Sequence, residues 1–140
     1  MSSIWGEKPS VGTTYPTCLA NPITRMHIAQ YAGASGDYNL VHTDEAFATG
    51  ARYPSVIAHG MLTMGLTATF VTQLVGHSAL RRFGGRFLAP VLPGDRLTAV
   101  ATVVEAVWSS GSGRVLLRIV ATRNDAVDVL DAYAEALIAR

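Results

Sequence analysis

The chain has a single cysteine, Cys18, so no intrachain disulfide can staple it and no cysteine set is present to hold a metal. Charge is scarce as well. Asp, Glu, Lys and Arg make up 15% of the residues, with eleven basic against ten acidic side chains and a formal net charge of +1. Such a balance sets up no field that draws in a phosphate backbone or an anionic lipid surface, so composition nominates neither nucleic acid nor membrane as a partner. Long hydrophobic runs are missing too. The longest candidate, "MLTMGLTATFVTQLVG", is interrupted by threonines and glycines and falls short of the roughly 18 to 20 residues of a bilayer span. The N-terminal "MSSIWGEKPSVG" lacks a basic region followed by an apolar one, which argues against a secretory leader and makes the cytoplasm the expected compartment.

What the chain does have is apolar material: 49% of its 140 residues are hydrophobic, more than a lone globule of that length needs. The surplus suits an oligomer interface. The length fits one domain over residues 1–140 with its own core, and neither a repeat nor a linker interrupts it. Residues 4–22, which carry Pro16 and Pro22, read as an extended arm or edge strand. A short helix is predicted from Thr24, its N-cap, through Tyr31 to a stop at Gly33, with His27 where a capping box has Glu or Gln. Thr43 is the expected cap of a second short helix that has Asp44 and Glu45 in its first turn and Gly50 just after it.

From Gly60 to about Val75, Leu62, Leu66, Phe70 and Leu74 recur every four residues while Met61, Met64, Ala68, Val71 and Val75 fill much of the remainder. This predicts a long helix buried nearly all round. After Gly76, four β-branched or alternating runs follow, separated by Pro93-Gly94-Asp95, Ser109–Gly113 and Asn124-Asp125. They read as an antiparallel meander. The order predicts an α+β class in which the sheet curls around the apolar helix.

One segment, "YAGASGDYNLVH" (residues 31–42), collects small residues, a carboxylate, a carboxamide and an imidazole. Asp37 and Asn39 are ordinary turn chemistry, but Asp37 and His42 are also the types that hold and move a proton near neutral pH. A second group is "IAHGM", where His59 and Gly60 stand at the start of the long helix. The free N–H groups and dipole of a helix start favour an oxygen gaining negative charge, and Gly60 lets a ligand approach the backbone. Arg86, on the first late strand, is the third group. His59 reads as a structural histidine at the helix start rather than a base. No metal is expected, because two histidines and Asp37 occur without His-x-His, His-x-x-x-His or a cysteine ligand set. "RRFGGR" reads as turn glycines in a strand rather than a nucleic-acid patch, and "SSGSG" is no phosphate loop because no helix or Gly-Lys-Ser/Thr follows it. An acid/base pair beside an oxyanion-type donor is machinery for adding or removing water next to a thioester carbonyl. Composition by itself does not single out that reaction.

The segments "YAGASGDYNLVH", "SVIAHGMLTMG" and "RFLAPVLPGD" resemble, in order, the signature segments of the MaoC-like dehydratase and (R)-specific enoyl-CoA hydratase family. The most specific element is Gly-Asp-x-Asn-x-x-His followed about seventeen residues later by His-Gly-Met; "AHGMLTMG" leans toward the dehydratase subunits of actinobacterial type II fatty-acid and mycolic-acid synthesis. The resemblance implies a hot-dog fold, an antiparallel sheet wrapped around a long helix, usually paired into dimers. It also implies reversible hydration of trans-2-enoyl thioesters to (3R)-3-hydroxyacyl products. Carried over by position, Asp37 and His42 become the catalytic pair, Asn39 braces their loop and the Gly60 N–H binds the thioester oxygen; His59, the structural histidine at the helix start, is expected to support the site. Met61 and Met64 are candidates to shape an acyl channel, and Arg81, Arg82 or Arg86 to meet the phosphates of coenzyme A or phosphopantetheine. Those groups belong to the substrate, so no separate cofactor is expected. The implied partners are acyl-CoA or an acyl carrier protein, and either a second copy of the chain or a second hot-dog subunit. Two positions depart from the pattern: Leu40 stands where the family usually has proline, and Ala68 where some hydratases carry serine. A hot-dog thioesterase and a non-catalytic acyl-binding subunit remain as alternatives.

Overall fold

The computed structural model describes residues 8–139. Strand β1 (Thr14–Ala20) leads into helix α1 (Arg25–Ser35), a 3-10 turn at Leu40–His42, a short helix α2 (Glu45–Gly50) and the long helix α3 (Gly60–Val75). Strands β2 (Leu80–Phe87), β3 (Leu97–Trp108), β4 (Ser112–Arg123) and β5 (Val127–Ala139) follow. All five strands form one antiparallel sheet in the order β1-β3-β4-β5-β2. Only three of the four runs expected to form the meander do so, as β3-β4-β5; β2 crosses over to pair with β5 at the far edge instead of with β3. Asn124 and Asp125 make the meander's second hairpin with φ of 52° and 55°, the left-handed backbone of a two-residue primed turn. Pro16 sits in β1, at the sheet's edge, where its missing N–H removes no interior ladder bond.

Alternation along the strands builds the core. Ala99, Ala101 and Val103 on β3, Val115, Leu117 and Ile119 on β4, and Ala132, Ala134 and Ala136 on β5 are all buried. Against them lie Val71 and Val75 of α3. The many alanines on β3 and β5 leave room for the helix to approach the sheet. Helix α3 is not buried all round, contrary to expectation. Its fully buried positions are Thr63, Thr67, Val71 and Val75, the leucine stripe is only half-buried, and Met61, Gly65, Thr69 and Gln73 face outward. A five-stranded sheet covers one side of a cylinder, and the deepest positions went to small β-branched residues. Thr67 is tolerated there because its hydroxyl donates to the Thr63 carbonyl at 2.8 Å.

Two helix boundaries also differ. α1 runs past Gly33 to Ser35, and Gly36, at φ 74°, supplies the left-handed cap with its N–H on the Ala32 carbonyl. At the other end of α1, His27 completes the capping box: its N–H donates to Thr24 Oγ1 and its Nδ1 accepts from the Thr24 N–H, both at 3.1 Å. α2 is capped by Asp44, whose Oδ1 accepts from the Phe47 N–H at 2.9 Å, and not by Thr43. Among the described residues no helix is long and apolar enough to cross a membrane.

Candidate active site

The loop between α1 and α2 is a chain of side-chain to backbone bonds. Ser35 Oγ accepts from the Asp37 N–H at 3.1 Å, Asp37 Oδ1 from the Asn39 N–H at 3.3 Å, and Asn39 Oδ1 from the Val41 N–H at 3.1 Å. Asn39 thereby caps the 3-10 turn that carries His42. Leu40 opens that turn, the position where proline fits best, and the Asn39 cap holds the turn without it. Turn chemistry and site chemistry therefore coexist in Asp37. One carboxylate oxygen shapes the loop, and the other, Oδ2, lies 3.7 Å from His42 Nε2.

His42 is held from the opposite side. Its Nδ1 is 2.8 Å from the Ile57 carbonyl oxygen, which can only accept, so Nδ1 carries the hydrogen. In the neutral ring Nε2 then presents a lone pair toward Asp37. The His42 side chain is 10% exposed and that of Asp37 53%, which places a half-open carboxylate at the mouth and the imidazole beneath it. Two acceptors 3.7 Å apart do not bond to each other, but a single water can donate one hydrogen to each.

His59, 1% exposed, lies under this pair. Its Nε2–H donates to the Asp37 backbone carbonyl at 3.0 Å, and its ring stacks on His42 with centroids 3.7 Å apart and planes 24° apart. Tyr31 leans against it at 4.9 Å and 54°. Donor atoms of Asp37, His42 and His59 lie within 4.8 Å of one another. Imidazole lone pairs lie in the ring plane, however, and two nearly parallel stacked planes do not converge on one ion, so this donor set suits proton handling better than coordination.

At the start of α3, His59 occupies the N-cap but gives no side-chain cap bond, which leaves the first-turn N–H groups, Gly60's among them, without a side-chain acceptor. A Cβ on Gly60 would sit 3.0 Å from the ring of Phe87, so glycine is what lets that aromatic cover the helix start. Two cavities flank it. The larger, about 470 Å³, is bounded by Leu19, Ile23, Tyr31, Leu62 and Leu66, and the smaller, about 310 Å³, by Ile57, Gly60, Phe87 and Val91. Neither is lined by Met61 or Met64, and Met61 is 54% exposed.

The arginines do not join the site. Arg82 pairs with Glu135 and Arg86 with Asp131 in the β2–β5 register, on the face of the sheet that carries Tyr133, opposite the buried alanines. A Cβ on Gly84 would meet the Tyr133 hydroxyl at 2.9 Å, which fixes that face for β2. Arg82 Nε lies 3.7 Å from Glu135 Oε2, and Arg81 donates to the Ser78 carbonyl at 2.6 Å. This outer face is a ladder of ion pairs. Arg118 binds Asp131 through two bonds, and Arg114 binds both Glu105 and Glu135. Hydrogen bonding from these guanidinium groups holds the Asp131 and Glu135 carboxyls below the ordinary carboxylate range. The sequence reading missed the Ile57 carbonyl and Tyr31. The first offers no signal, because any residue at 57 supplies a carbonyl; the second was visible only as an aromatic one turn before Ser35.

Comparison with known proteins bears on the same segments. The chain is 39% identical over 87 residues to the (R)-specific enoyl-CoA hydratase of Rhodospirillum rubrum, covering 61% of this chain and 60% of that one. It is 34% identical over 112 residues to the enoyl-CoA hydratase ChsH3 of Mycobacterium tuberculosis, covering 78% of this chain and 37% of that protein. The chain thus spans less than two thirds of the length of these relatives. Among solved structures, the unliganded R-hydratase PhaJ1 from Pseudomonas aeruginosa superposes with a TM-score of 0.79 at 27% identity, over 95% of this chain and 83% of that one. The sheet wrapped around α3 is accordingly the hot-dog fold. The MaoC like domain family matches residues 7–124, a span that takes in the Asp37–His42 loop, the start of α3 and every strand but the last, and the chain belongs to that family.

Proposed function

We propose that the chain catalyses reversible hydration of trans-2-enoyl thioesters to (3R)-3-hydroxyacyl thioesters, with Asp37 and His42 as the working pair. The observation that carries this reading is His42 Nε2, left as an acceptor by the Nδ1–Ile57 bond and facing Asp37 Oδ2 at 3.7 Å. A water held between them is oriented by the carboxylate and loses a proton to Nε2 as its oxygen forms a bond to C3. The electron pair of the C2=C3 double bond moves toward the thioester carbonyl, whose oxygen is met by the Gly60 N–H at the start of α3. Collapse of that enolate takes a proton at C2 from the same polar pair, so the water adds entire and nothing else is consumed. Dehydration is the reverse.

The cavity of about 470 Å³ beside Tyr31 is the room we assign to the acyl chain. The names of the relatives favour a coenzyme A thioester, with an acyl carrier protein thioester as the second substrate form. No separate cofactor and no metal enters the scheme. Residues 1–140 act as one domain, paired with a second copy. The test is the purified chain with crotonyl-CoA and longer enoyl-CoA thioesters, followed by loss of the enoyl absorbance and chiral analysis of the product. Formation of the (3R)-alcohol is expected. Release of free coenzyme A without hydration would replace this reading with a thioesterase, and a folded chain active only with a second hot-dog subunit would make it one half of a heterodimer.

A further inference from the structure

We infer that His59 is the positioning residue of the site, one imidazole that holds Asp37 by its backbone and His42 by its face; the inference rests on the hydratase reading above. His59 stands at the N-cap of α3, yet its side chain makes no cap bond, so it does nothing for the helix it precedes. Its ring is 1% exposed, and Nδ1 is buried with no hydrogen-bond partner. Native interiors rarely keep such an orphan, and a phenylalanine would fill the same space without one. The imidazole is explained by what its other parts touch.

Nε2–H donates to the Asp37 carbonyl at 3.0 Å. That bond ties the backbone of the one residue whose Oδ2 must stay opposite His42 Nε2, at the end of the loop away from Ile57, whose N–H donates to the Val41 carbonyl at 3.0 Å and whose carbonyl accepts from His42. The ring face lies on His42 at 3.7 Å while Tyr31 braces the same ring at 4.9 Å. The stack fixes the plane in which His42 Nε2 points, and the Ile57 carbonyl fixes its tautomer. Phenylalanine keeps the stack and loses the tie; glutamine keeps a donor and loses the stack. Histidine supplies both. An imidazole that takes a proton in turnover also gains from lying against a neutral aromatic face.

The test uses His59→Phe and His59→Gln in the full chain, with crotonyl-CoA kinetics, thermal melting and ¹⁵N NMR of the imidazoles. His59→Phe is expected to melt at or above the parent temperature, since the orphan is gone, while kcat falls on the order of 10²-fold, the scale of a misplaced reacting group, and KM moves little. His59→Gln, which leaves the Ile57 bond and so the tautomer in place, is expected to shift the His42 ring resonances as the stacked face is lost, and to lower kcat. Faster amide exchange at Asp37–Asn39 is expected in His59→Phe. Parental kcat in His59→Phe overturns the inference, as does a loss of activity that merely follows a lowered melting temperature. If the parent chain hydrates no enoyl thioester, the hydratase reading falls by itself. Amide exchange at Asp37–Asn39 in His59→Phe still decides the positioning role, parental exchange there overturning it.

Discussion

Asp37 and His42 differ in what else they hold up, and that difference separates their variants. Asp37 Oδ1 accepts from the Asn39 N–H, a bond that an asparagine oxygen can also accept, so Asp37→Asn should leave the loop in place. His42→Ala instead strips the donor from the Ile57 carbonyl, costing about 1–3 kcal/mol where the group stays away from water. Both are expected to lower hydration by roughly 10²- to 10⁴-fold, with His42→Ala alone melting earlier; steady-state kinetics and calorimetry check the pair, and near-parental turnover in either would remove it from the scheme. Gly60→Val should slow turnover and loosen the start of α3, because its Cβ meets the Phe87 ring at 3.0 Å. Adding Phe87→Ala is expected to recover melting temperature but not kcat/KM, since the side chain still crowds the thioester oxygen; full recovery of both would mean that Gly60 serves packing only. At this scale residue types were legible and their bonds were not. The sequence shows that His42 can move a proton, but the tautomer depends on a backbone carbonyl fifteen residues away that carries no side-chain signature.

Secondary elements were easier to read, because period two and period 3.6 survive any context. The strands after Gly76 lie where the alternating runs placed them, and α3 has the predicted ends. Facing was harder to read. Arg82 and Arg86 share one parity of β2, while Phe87, which covers Gly60, has the other, so alternation alone excludes these arginines from the helix side. On the outer face they join a carboxylate ladder with a definite acid response. Asp131 and Glu135 have lowered carboxyl pKa values in the folded chain, so the stability from these pairs is fully present above their unfolded values and is lost as pH falls through the folded ones. The melting temperature should therefore drop on acidification from about pH 5 downward, and Asp131→Asn with Glu135→Gln should flatten that dependence while lowering the neutral-pH value modestly, as expected for pairs whose carboxylates are half-buried and whose arginines are open to solvent. Thermal melts of both proteins across pH 2–7 check it. An unchanged slope in the double variant would assign the acid response elsewhere.

For the whole molecule, the apolar surplus has a visible location. Tyr38, Leu40, Phe47, Met61, Phe87 and Leu88 are all exposed large hydrophobics on or near the elements that carry the site. The sheet ends on β1 and β2, two open edges. We expect the chain alone in solution to be at least a dimer, with light scattering as the measurement. Concentration-dependent loss of activity on dilution is the second expected sign; a fully active monomer would show that the site needs no neighbour. The α+β class with a sheet curled around α3 was legible from the order of helix and strands, and the hot-dog fold only from the resemblance, whereas the exposed side of α3 was not legible, since periodicity in one chain cannot tell a face buried by its own sheet from one awaiting a second molecule.

The strand order also dictates a schedule. β3, β4 and β5 are joined by short turns and meet their neighbours locally, but β1 must find β3 across some eighty intervening positions, and β2 reaches β5 only after two whole strands have been laid between them. Distant pairings form slowly because the loop they close must be ordered first. The three-stranded ribbon is then the expected seed, with α3 and both outer strands settling onto it. The Asp37 loop has no strand of its own and takes its shape from Ile57 and His59, which come to rest only when α3 does. On the hydratase reading, turnover is expected to be regained after the sheet has formed, which refolding followed in parallel by circular dichroism and by crotonyl-CoA hydration checks.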